Sequence, residues 1–398
     1  MYTQNTPVHV RLWHKGFWAL AFANLFLSMS MFVYLPLLPQ WLGERFGFSG
    51  QEVAFLALLN GIGLFLFGPK CSILVQRYRR NIVCAVSIFI HSLMGLTLFY
   101  LCRVNTVLID SSDPSTIFFF LAVFQTVGSA FYGLSMMTLS GTLIIDVCES
   151  FQRTEANHSA AWFGRLGLAL GPIAAILCSS FFGRESALLA SSVLGLLALL
   201  LLVMLTDFPF RAPEENIKRF STDRFFLTRG IWLFLNFLMI MVAVGIVVVC
   251  HHDVRFYLLM LGGFLVSLLA QKFVFANAEL KSEILSGLFL IIASLLMMIF
   301  RHVDVASYGA ALLTGIGVGI SAARFLLFFI KLSPHCKRGT SQSTFFLAWH
   351  SGLALGAALG IGIGESSVGY VVALALAVVS LLMYHFFTHT WYMDNKSR

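Results

Sequence analysis

Two arginines and a histidine stand where an apolar sequence accommodates them least. Arg165 lies seven residues past His158 within a hydrophobic run, a depth of about 10 Å at the helical rise. Arg324 lies eight residues from the end of another run, near residue 332, and His350 falls inside a third. A charge in hydrocarbon costs roughly 3 kcal/mol or more, so such side chains face a bundle interior or a wet cavity. The guanidinium fork suits a carboxylate or phosphate, and an imidazole can carry a proton. The chemistry suggested is binding of an anionic or polar solute, with His350 the best candidate to handle a coupling proton. For each of the three the alternative is an interhelical hydrogen bond.

Weaker polar markers accompany them: Asn24 with Ser28, Asn60, Gln125 with Ser129 and Tyr132, and Asn236. Spacings of three and four put the first and third of these sets on single helix faces, as a cavity lining requires. All eighteen acids fall in connections or near the ends of apolar runs, Asp146 and Glu365 included. No mid-run carboxylate offers itself to a cation, which again favours an anionic or polar solute.

Other patterns carry less. His251-His252-Asp253 has metal-ligand types but no further ligand set, so no metal and no cofactor is expected. Gly315-Ile316-Gly317-Val318-Gly319 lies within an apolar run with no strand before it, unlike a nucleotide loop. The seven cysteines are scattered without a paired motif and read as small buried hydrophobes. No coherent set of catalytic groups appears, so no enzyme is expected.

The elements that must hold these residues are membrane helices. The chain is 59% hydrophobic and 11% charged, outside the balance of a soluble domain. Its apolar runs have the length of about 20 residues that a bilayer-crossing helix needs, without the alternation of a barrel. Twelve spans are read, at about 17–42, 52–75, 82–104, 115–147, 158–182, 186–206, 230–250, 255–276, 283–300, 306–332, 342–364 and 366–391. The first lacks a cleavage site and is expected to be retained.

Two stretches repeat at a fixed offset of 185 residues. Arg153–Pro172 and Arg338–Ala357 share an opening arginine, a polar side chain at Asn157 and Gln342, and Gly-Leu-Ala-Leu-Gly at 167–171 and 352–356. Small residues one turn apart let helices approach closely. The same offset takes Arg165 to His350. Two related six-helix halves follow, with domains at 1–206 and 230–398 and a partly ordered linker at 207–229.

An even count puts both termini on one side. Sixteen Lys and Arg fall on that side and five on the other, so the positive-inside rule places the termini in the cytoplasm. The net charge of +8 is then a matter of topology and anionic headgroups, not nucleic acid.

With twelve spans, a mid-chain linker and a six-plus-six repeat, the chain resembles the major facilitator superfamily of secondary transporters. Gly68–Asn81 is similar to the family's loop signature at Leu74, Arg77 and Arg80, with Ser72, Gln76 and Arg79 departing from it. Gly167–Pro172 is similar to its Gly-x-x-x-Gly-Pro signature, and Asp146 and Arg153 flank the fourth connection as in the family. The resemblance implies an all-α fold of two pseudo-symmetric bundles in the cytoplasmic membrane, acting as a monomer on a small-molecule substrate by alternating access. It also implies a latch of Gln76, Arg77, Arg80, Asp146 and Arg153, with Arg80 or Arg77 meeting Asp146. Where the family has an acid, Gln76 can still hydrogen-bond the first amides of span eleven but brings no charge to that helix end. The worn signature leaves a second reading open, a transporter-shaped protein that senses or binds a partner.

Overall fold

The helices begin and end where the sequence supplies caps. In the computed structural model, which describes residues 11–103, 112–204, 218–275, 278–300, 304–334 and 337–396, the His14 ring accepts a hydrogen bond from the Phe17 amide at the start of span one. Ser49 and Glu52 form a reciprocal capping box at the start of span two. Gly47 and Gly364, with φ of 70° and 71°, take the left-handed conformation that closes spans one and eleven.

Span one is Lys15–Phe32 continued by Tyr34–Phe46, span three Arg80–Arg103, span five Arg153–Phe182 and span six Ser186–Val203. Span four is Pro114–Thr138, extended through a π-helical turn at Leu139–Leu143 to Asp146. The second half follows as Ile231–Val249, Val254–Phe273, Leu280–Ile299, Asp304–Leu332, Arg338–Ile363 and Ser366–Met383, the last running on to Asn395. Among the described residues eleven helices are long and apolar enough to cross a bilayer. Span two, as Gly50–Gly63 and Gly68–Arg77 bent by 40°, makes the twelfth. The readings of 105–111 as part of a connection and of 207–217 as the start of the linker lie outside the described residues.

The repeat has a physical basis. Spans five and eleven begin at Arg153 and Arg338, the offset of 185 found in the sequence. Span five packs on span one as span eleven packs on span seven. A Cβ on Gly167 would come within 2.8 Å of the Ser28 side chain, and one on Gly352 within 2.9 Å of the Leu238 carbonyl. Between the halves, span five meets span eight and span eleven meets span two. Large apolar side chains such as Phe119, Phe181, Leu269, Phe289 and Phe386 point outward, toward lipid.

Contacts join the halves at both ends. On the face that carries the termini, the backbones of Gly141 and Gly339 meet with no room for a Cβ on Gly339. The end of the linker lies over the same seam. The Ser221 amide donates to the Pro69 carbonyl, and the Arg224 and Leu227 amides donate to the Thr340 and Thr344 hydroxyls. On the opposite, distal face the His252 ring donates to the Pro36 carbonyl.

Candidate functional site

Between these two closures lies a small chamber built from four helices. Span one contributes Asn24 and Ser28, span four Met136 and Ser140, and span five Ala161, Gly164 and Arg165. Span eleven contributes Gln342, Phe345, Phe346, Trp349 and His350, which follow one helix face at steps of three and four. A Cβ on Gly164 would sit 3.2 Å from the Ser28 hydroxyl, so the glycine lets span one close against span five here.

Arg165 is 2% exposed. Its guanidinium lies 4.6 Å from the Trp162 ring and 5.8 Å from that of Phe345, within cation–π range. Its Nε, Nη1 and Nη2 make no hydrogen bond, and no carboxylate pairs with it among the described residues. Two aromatic faces do not replace five lost donor interactions, so Arg165 is a buried cation without a counter-ion among the described residues.

His350 stands between this chamber and a larger one. The second cavity lies toward the distal end and is mainly apolar, with Asn60 and Gln125 among its walls. His350 lines both. Its ring stacks on Phe32 at 5.0 Å and 1° and packs on Phe346 at 4.5 Å, while its Nε2 is 3.3 Å from the Tyr132 hydroxyl. The partition is His350, with Phe32 on the side of the larger cavity and Phe346 on the side of the smaller, while Tyr132, bonded to His350, lines neither.

The remaining predicted residues divide. Asn24 donates through Nδ2 to the Ala160 carbonyl at 2.8 Å while its Oδ1 has no partner. Gln125 lies in the outer cavity, away from Arg165. Asn236 is fully buried but joins spans seven and twelve, Nδ2 to the Ser380 carbonyl at 3.0 Å, and lines neither cavity. Arg324 also departs from the expected placement: it is ion-paired with Glu283 of span nine, which is 1% exposed, and lies outside the chamber. Glu283 sits in the first turn of its span, so position along the sequence gave no sign that it turns inward to meet Arg324.

On the terminal face Arg80 is ion-paired with Asp146, while Arg77 is exposed and Arg153 opens span five half-buried. Gln76 does not reach span eleven; its Oε1 accepts from the Ser72 hydroxyl within its own helix at 3.4 Å. The linker takes that place: Thr340 in the first turn of span eleven donates to Asp223 at 3.0 Å. A carboxylate at a helix start is favoured by the exposed amides and the helix dipole.

Three features escaped the sequence reading. Gln342 was seen only as a repeat position, though its spacing from Phe346 and His350 puts it on their face. Asp223 lay in a stretch read as linker. His91, 4% exposed, bonds the Gly128 carbonyl and Ser30 at 3.0 and 3.1 Å inside the first bundle and has the marks of a structural histidine. In the distal turn, His251 bonds the Val247 carbonyl and Asp253 accepts from Tyr308, which gives each side chain a packing role.

A twelve-helix fold with cavities between two related halves defines a membrane transporter. Residues 20–357 match the Major Facilitator Superfamily, and the chain belongs to that family. No curated protein sequence matches it significantly. Among solved structures it is similar to a bacterial homologue of the iron transporter ferroportin in an outward-facing state, with TM-score 0.67 and 17% identity over 96% of this chain and 100% of that one. It is also similar to the nucleoside transporter NupG, with TM-score 0.65 and 13% identity over 93% and 98% of the two chains. A human organic anion transporter gives TM-score 0.64 and 12% identity over the same shares. At these identities the similarity bears on the fold.

Proposed function

We propose that this protein is a secondary transporter that moves a small anionic solute across the cytoplasmic membrane, its halves at 1–206 and 230–398 rocking about the Arg165 chamber with 207–229 as a cytoplasmic linker. The observation that carries this reading is the buried, unpaired guanidinium of Arg165 in a chamber walled by both halves. Holding such a charge without a partner costs stability, and an anion arriving there gains a bidentate, charge-assisted contact in a low-dielectric site. The solute neutralises the chamber and so favours closure around it, which is the differential affinity that alternating access needs.

In this reading both termini face the cytoplasm, with the Ser221–Pro69 and Asp223–Thr340 bonds closing that side and the Arg80–Asp146 pair bracing spans three and four beside it. His350, as part of the partition, is the group placed to link a proton to passage between the cavities. Arg324 and Asn236 are assigned to scaffolding.

The test is uptake by full-length protein in sealed proteoliposomes, with an anion mixture offered under imposed proton gradients. Accumulation that Arg165→Ala abolishes and Arg165→Lys weakens supports the proposal. Accumulation unaffected by either change would remove Arg165 from the substrate path. No movement of any solute, with ligand binding retained, would favour the sensor-like reading that Gln76 raises.

A further inference from the structure

Building on the anion reading of the same chamber, we infer that its ligand is a monovalent organic anion with a flat apolar body and a hydrogen-bond donor on that body. Three observations fix the three properties. Arg165 is the sole arginine or lysine among the described residues that line the chamber, and no carboxylate lines it. One anionic group is matched and a second would be buried without a partner.

The walls beside the guanidinium are rings. Phe345 lies 5.8 Å from it, and Phe346 and Trp349 continue the same face of span eleven. Inorganic phosphate or acetate would satisfy Arg165 and leave these rings facing empty or poorly hydrated space, whereas a planar body stacks on them.

The donor follows from unused acceptors. Asn24 and Gln342 line the chamber, and their Oδ1 and Oε1 are buried without a hydrogen-bond partner, as is the Ser28 Oγ, which can accept as well as donate. The orientation of the Asn24 amide is set by its Nδ2 bond to the Ala160 carbonyl, which leaves the oxygen for something else. A hydroxyl or amine on the ligand body would complete it, and a buried acceptor left unpaired discriminates strongly against analogues that lack the donor.

4-Hydroxybenzoate has all three properties and serves as the probe. Thermal-shift titrations of the full-length protein in detergent compare it with 4-methoxybenzoate, which lacks the donor, terephthalate, which adds a charge, acetate and phosphate, which lack the ring, and 4-hydroxybenzyl alcohol, which lacks the charge. The expected result is stabilisation by 4-hydroxybenzoate with each other compound weaker by about tenfold or more. Gln342→Met should narrow the gap between the hydroxy and methoxy compounds, and Arg165→Lys should weaken all the anions. Acetate, phosphate or terephthalate binding as tightly as 4-hydroxybenzoate overturns the inferred class and leaves the anion reading standing. Absence of an Arg165-dependent shift with every anion, phosphate included, overturns both.

Discussion

The Tyr132 hydroxyl lies 3.3 Å from His350 Nε2, a hydrogen bond between span four of the first half and span eleven of the second. Tyr132 lines neither cavity, but through this bond, and beside the Phe32 stack, it helps fix the orientation of His350, which borders both. Tyr132→Phe keeps the packing and removes the bond. We expect faster exchange at unchanged equilibrium affinity, read from counterflow and binding side by side. His350→Gln keeps a hydrogen bond but cannot titrate, and should leave exchange intact while flattening the pH dependence of net uptake. Retained pH dependence in that variant would put the coupling elsewhere.

Arg165→Met should stabilise the empty protein while disabling it. The methionine fills similar volume without burying a charge, so the ligand-free thermal unfolding free energy should rise by about 1 kcal/mol or more. A drop in stability would mean that Arg165 has a structural partner and is not held in readiness for a ligand.

The Arg324–Glu283 pair predicts the opposite pattern. Removing either partner leaves the other buried and uncompensated, at a cost of about 3 kcal/mol. Arg324→Met or Glu283→Gln should therefore lower the unfolding midpoint, and the double change should recover part of the loss. Because the pair lies outside the chamber, the folded fraction of each variant should bind ligand with unchanged affinity.

The fold was legible from the sequence because its signals are one-dimensional: run length, the placement of Lys and Arg, and a repeat with a constant offset. The offset also placed Arg165 and His350 at equivalent positions, and they line one chamber. Arg324 could not be separated from Arg165 by depth alone. What separates them is a glutamate 41 residues away, brought alongside by the packing of spans nine and ten. In the same way the sequence showed that Gln76 had lost its charge, but not that Asp223, far along the chain, would stand at the first turn of span eleven.

That substitution can be tested. If Asp223 through Thr340 holds the terminal face closed, Asp223→Asn or Thr340→Ala should shift the population toward the open terminal face by on the order of 1 kcal/mol. Labelling rates at a cysteine introduced at Ser140, which lines the chamber, would report it. Gln76→Ala should leave those rates unchanged.

At the distal face the burial of His252 implies a pH dependence whose sign follows from desolvation. Its ring keeps part of its surface in solvent, yet desolvation by burial holds its pKa below the ordinary histidine value, against the opposing effect of its bond to Pro36. The charged form is disfavoured while the face is closed, so closure is fully supported above about pH 6.5 and weakens as pH falls below it. Acidification should raise distal accessibility, measured by labelling at an introduced cysteine such as Ala57→Cys. His252→Gln should abolish the dependence.

The meeting of Gly141 with Gly339 sets a limit on leakage. Where two backbones touch without side chains between them, no groove for water runs along that line of contact. The π-helical turn that carries Gly141 bulges span four into that seam. It thereby closes the seam there by the shape of two backbones, which leaves no side-chain rotamer at that point that could swing aside.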